Sequence, residues 1–100
     1  MTRDELLSDH RVMSDKARVL MAKKNHDYAN GSDAFRNFRR HGAEGILVRL
    51  GDKLARLESF NESGKLAIKN ESILDTCLDI MNYAVLFHSY LKDAKEDAHA

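Results

Sequence analysis

A chain of 100 residues with 16 basic and 16 acidic side chains, no proline and one cysteine has room for one domain. It excludes an intrachain disulfide and lacks the basic excess of a non-specific nucleic-acid binder. No apolar run reaches the roughly 18–20 residues that crossing a bilayer takes, and no stretch resembles a signal peptide, so a soluble, cytoplasmic protein without a membrane partner is expected.

Residues 1–100 are read as one all-α domain, because the chain lacks proline and alternating β-branched runs. Three helices are predicted. The first runs from about Thr2 to Lys24, with Leu6, His10, Met13, Ala17 and Leu20 recurring at the three- and four-residue spacing of one helical face. Thr2 followed by Glu5 matches a capping box, in which each side chain satisfies a backbone amide of the other residue. Residues 25–45, "NHDYANGSDAFRNFRRHGAEG", are the least regular part. Asn30-Gly31 tolerates positive φ and marks a turn, and "AFRNFRRHG" is expected to form a short helix with Phe35 and Phe38 on one side.

The second helix is predicted from about Glu44 to Phe60, on a stripe of Ile46 or Leu47, Leu50, Leu54, Leu57 and Phe60. Its other side carries Arg49, Asp52, Lys53 and Arg56, and Gly64 in "NESGK" favours a stop. The third helix is predicted from about Glu71 to Lys92, with Leu74, Cys77, Leu78, Met81, Ala84, Val85, His88 and Leu91 as its apolar face. His10 and His88 are expected in the core, and residues 93–100 as a frayed polar tail.

The charge distribution is uneven along the chain. Residues 1–50 carry 10 basic and 7 acidic side chains, whereas residues 51–100 carry 6 and 9. On the third helix Glu71, Asp75, Asp79 and Asn82 follow at helical spacing, with no Lys or Arg between Lys69 and Lys92. Like charges four residues apart repel, and Asp is a weaker helix former than Glu. Such a row therefore calls for a compensating cation. Two compensations are open. One is a hard ion such as Mg²⁺ held by oxygen ligands, with Asp52 or Glu58 contributing from the second helix. The other is a structural ion-pair network with Lys53 and Arg56.

Lys23, Lys24, Arg36, Arg39, Arg40 and His41 gather around the irregular middle, together with Asp27, Tyr28, Phe35 and Phe38. Arginine forks match phosphate, and aromatic rings stack on bases. The plainer reading leaves the two phenylalanines as caps on the core. No Cys–His spacing supports zinc, and no glycine-rich phosphate loop is present.

Taken together, "KNHDYANGSDAFRNF", "GILVRLGDKLARLESF" and "ESILDTCLDIMNYAVL" resemble a phage-encoded family, the nucleotide modification associated domain type 1. That family is similar in outline to the all-α MazG-like nucleoside triphosphate pyrophosphatases. The resemblance covers about residues 23–87. It rests on Asp27, Tyr28, Phe35, Asn37, Phe38, Arg49, Asp52, Lys53, Arg56, Glu71, Asp75, Thr76, Asp79, Asn82 and Tyr83. It implies a MazG-like helical bundle completed by oligomerisation, in which acidic residues of two helices hold Mg²⁺ for cleavage of a nucleotide α–β phosphate bond. Where MazG-like enzymes carry Glu-x-x-Glu and Glu-x-x-Asp pairs, this chain offers Asp52 and Glu58, and then Asp-x-x-x-Asp.

Three readings follow. The first is a Mg²⁺-dependent nucleotide pyrophosphohydrolase. Its metal would be held by Asp75, Asp79, Glu71 and Asp52, with Asp75 and Asp79 catalytic. Its substrate would be held by Asp27, Tyr28, Phe38, Arg49, Lys53, Arg56 and Asn82. The second keeps the pocket and drops the catalysis, leaving a nucleotide-binding or nucleotide-sequestering protein. The third is a helical adaptor whose charges serve an interface. In each, three helices of this length are too few to enclose a polar cleft, so a homodimer or higher homo-oligomer is expected.

Overall fold

Thr2 and Glu5 open the first helix as their spacing predicts. The Glu5 amide donates to Thr2 Oγ1 at 3.1 Å, and the Thr2 amide donates to Glu5 Oε2 at 3.4 Å. In the computed structural model this helix, α1, spans Arg3–Ala29, five residues beyond the predicted end. No helix breaker lies between Lys24 and Ala29, and the Asn30-Gly31 pair comes only afterwards. The structure describes residues 1–29, 33–65 and 72–99, and the side chains at 25–29 and 96–99 are not among those described.

Asp33 organises the start of the middle segment. Its Oδ1 accepts the Phe35 amide at 3.0 Å, an Asx-type turn. A single 3₁₀ turn, Arg36–Phe38, follows. The second helix, α2, spans Gly42–Ser63 and ends on Gly64, whose φ of 74° lets its amide reach the Phe60 carbonyl at 2.7 Å. Only glycine adopts that left-handed geometry without steric cost.

The third helix, α3, spans Ile73–His99. It starts with a second capping box. The Asp75 amide donates to Ser72 Oγ at 3.0 Å, and the Ser72 amide donates to Asp75 Oδ2 at 3.1 Å. Its helical backbone continues through the segment expected to fray.

The described residues form an all-helical fold with no strand. Cross-contacts set the directions. Ala17 meets Asn82 and Lys24 meets Asp79, so α1 runs antiparallel to α3. Gly42 sits against Tyr90, and Lys53 pairs with Asp79, so α2 also runs antiparallel to α3. Among the described residues α1 and α2 do not pack on each other, which leaves α3 as the shared central element. No described helix is long and apolar enough to cross a membrane.

The buried positions correct two of the predicted faces. On α2, Ile46 is fully buried as expected, but Leu54 is exposed and its neighbour Lys53 turns inward, 16% exposed. On α3, Leu78 is buried, whereas Leu74, Val85 and Leu91 are exposed. The inner line runs instead through Thr76, which is fully buried, and Asp79. His10 and His88, expected in the core, are both exposed, and His10 pairs with Ser14 at 3.4 Å. At Lys53 the physical reason is its partner. A polar side chain paired with Asp79 on the facing helix can occupy the seam, which leaves the neighbouring Leu54 outward.

Candidate functional site

A cleft of about 680 Å³ opens where α1, the 33–41 segment, α2 and α3 meet. Each element supplies a distinct chemistry. From α1 come Met21 and Lys24, and from the middle segment Asn37, Phe38 and His41. From α2 comes Arg49, and from α3 come Asp79, Asn82, Tyr83 and Leu86. Two phenyl-type rings, an imidazole, two side-chain amides, a lysine, an arginine and one carboxylate therefore border a single space.

Asp79 is the electrostatic centre. Its Oδ2 accepts from Lys53 Nζ at 2.9 Å and its Oδ1 from Lys24 Nζ at 3.3 Å, so one carboxylate ties α1 and α2 to α3. Its side chain is 12% exposed. Burial pushes its pKa up, but the Lys53 hydrogen bond and the charge and hydrogen bond of Lys24 outweigh that and hold it below the ordinary value of 3.8. It is thus a carboxylate kept ionised. One turn further along, Asn82 Nδ2 donates to the Ala17 carbonyl at 2.9 Å and fixes α1 at the same level.

The middle segment is held in place as the cleft wall by Arg39. Its guanidinium donates to Asp33 through Nε at 2.9 Å and Nη2 at 3.0 Å, and to Asp93 of α3 at 3.1 Å. It also lies 5.4 Å and 5.6 Å from the ring centres of Phe35 and Tyr90, which meet edge to face at 5.4 Å. The Arg39 hydrogen bond and then the Phe35 amide lower the Asp33 pKa, and Asp33 and then Asp93 raise that of Arg39. Arg39 is therefore a brace between wall and α3. Phe35 is buried as a core cap, and Phe38 faces the cleft.

No family model, curated protein or solved structure matches this chain.

The structure gathers Phe38, Arg49, Asp79 and Asn82 around the cleft, with Lys53 behind Asp79. Arg56 lies part-buried on α2, outside the cleft lining. Asp75 is exposed and closes the first turn of α3, and Asp52 is exposed on α2. Glu71 lies outside the described residues, as do the side chains of Asp27 and Tyr28. Among the described residues no group of three His, Cys, Asp or Glu side chains is placed to hold a metal ion. Asp75 and Asp79 are committed to a cap and to two lysines, so the described donors do not form an enclosed Mg²⁺ site.

Lys24 and His41 of the basic middle, and Asn37 and Tyr83 of the resemblance, line the cleft although none of them was assigned a binding role. For Lys24 a signal was present. An acidic row without interleaved cations must draw its partners from other helices, and Lys24 closes the predicted first helix.

Proposed function

We propose that this chain binds a nucleotide in the cleft, with the Phe38 and Tyr83 rings bordering the base and Arg49 offered to phosphate. The observation that carries the reading is the composition of the cleft: ring faces, amide groups and Arg49, which makes no ion pair among the described residues. Ring faces stack on any base, amides of the Asn37 and Asn82 type read base edges or sugar hydroxyls, and an arginine fork suits a phosphate. A volume of about 680 Å³ falls in the range of small-molecule sites. The resemblance to nucleotide-handling families points the same way.

Binding without turnover is favoured over Mg²⁺-dependent pyrophosphohydrolysis, because the ionised Asp79 is already neutralised by lysines. The hydrolytic reading draws on Asp79 remaining ionised at the cleft wall. One experiment separates them. The protein is incubated with a panel of ribo- and deoxyribonucleotides, with and without Mg²⁺, while product and bound ligand are both followed. Retention without product is the expected result, Mg²⁺-dependent product would establish the hydrolase, and neither would leave an adaptor.

The proposal includes a homo-oligomer in a cytoplasm. Ala17, Phe35, Ile46 and Leu78 are the buried apolar side chains among the described residues, while Leu6, Leu7, Val12, Val19, Leu54 and Val85 are exposed. Exposed apolar side chains in that number favour association with further copies.

A further inference from the structure

We infer that Lys24 is the displaceable phosphate-binding side chain of the cleft, parked on Asp79 until an anionic ligand takes its ammonium group. The inference deepens the nucleotide-binding reading and rests on it. The two lysines on Asp79 differ in every respect that matters here. Lys53 is 16% exposed and lies at 2.9 Å, the short distance of a charge-assisted hydrogen bond. Lys24 is 50% exposed, lies at 3.3 Å, and borders the open cleft. Each lysine uses a different carboxylate oxygen. Departure of Lys24 therefore leaves Asp79 still paired with Lys53.

The surroundings favour exchange. Lys24 from α1 and Arg49 from α2 both border the cleft. A phosphate entering between them gains both cations and costs only the longer, more solvated contact of the pair. An ammonium with three donors on a flexible stem suits such a change of partner. Asp79 then acts as a competitor for the ligand, which is the reverse of a metal-holding role.

The test titrates the full chain with inorganic pyrophosphate by calorimetry, and with one nucleotide and its parent nucleoside, while NMR follows the lysine side-chain ammonium groups. Pyrophosphate is expected to move the Lys24 resonance and leave that of Lys53 in place. Lys24→Met should weaken pyrophosphate binding by at least about tenfold, the loss of one charge-assisted hydrogen bond, and Lys24→Arg should restore most of it. Lys16→Met, an exposed change on the same helix, should have no effect. Asp79→Asn, measured well below its unfolding temperature, should bind pyrophosphate severalfold more tightly. Equal binding by wild type and Lys24→Met overturns the inference, as does equal weakening by Lys16→Met. If the nucleotide still binds in either case, the nucleotide-binding reading survives. If nucleoside, nucleotide and pyrophosphate all fail to bind, both fall.

Discussion

Asp79 shows how a single carboxylate acquires its role from its neighbours. Its pKa is held low in the folded chain, so its stabilising contribution is complete above the ordinary carboxylate value of 3.8. That contribution is lost as pH falls through the depressed folded value. Asp79→Asn should therefore cost about 1.5–3 kcal/mol at neutral pH, the range for hydrogen bonds to charged groups. The gap between variant and wild type should narrow progressively as pH falls below about 4. Urea denaturation at pH 7 and pH 3 checks both the size and the sign. The sequence made Asp79 visible as an acid lacking local cations. It offered Lys53 as one of two compensations, the other a divalent ion, and the pair forms at Asp79. It could not choose between them, because helical spacing does not say whether Lys53 or Leu54 turns toward α3. That choice is made by the partner across the seam.

At the scale of helices, the two capping boxes show the same point from opposite sides. Thr2 and Glu5 were legible because the pattern opens a periodic stretch. Ser72 and Asp75 form the same pattern, but Asp75 also belongs to an acidic row at helical spacing, so the row claimed it. If the cap is its role, Ser72→Ala and Asp75→Ala should each lower stability by about 1 kcal/mol. Ligand affinity should stay unchanged, as read by thermal unfolding and calorimetry together. Loss of binding at unchanged stability in Asp75→Ala would instead return that carboxylate to the site. Gly42 supplies a second element-level expectation. Its φ is 61°, and an added Cβ would lie 3.2 Å from Tyr90 Oη. Gly42→Ala should thus cost about 1–2 kcal/mol for the left-handed backbone and should displace the Tyr90 ring, visible in its NMR resonances.

For the molecule as a whole, the all-helical fold was readable from periodicity and the lack of proline. The radius of gyration of 15.5 Å exceeds the value of about 13 Å typical of a 100-residue domain. Light scattering should accordingly return a mass above the 11.4 kDa of one chain, and the unfolding temperature should rise with protein concentration. A monomeric mass with concentration-independent unfolding would refute the assembly. Which apolar residues face outward was not legible, because Leu54, Leu74 and Val85 share the spacing of those that face inward.

The arrangement of α1 and α2 on either side of α3, without contact between them, has a kinetic consequence. The α2–α3 pair is a local hairpin, whereas seating α1 requires closing a longer stretch of chain at greater entropic cost. Folding is expected to begin in the hairpin and finish with α1, and native-state fluctuations to run in the opposite order. Amide protons from Arg3 to Val12 should exchange with solvent first and those around Thr76 last, so that the wall of the cleft supplied by Met21 and Lys24 is the one that opens.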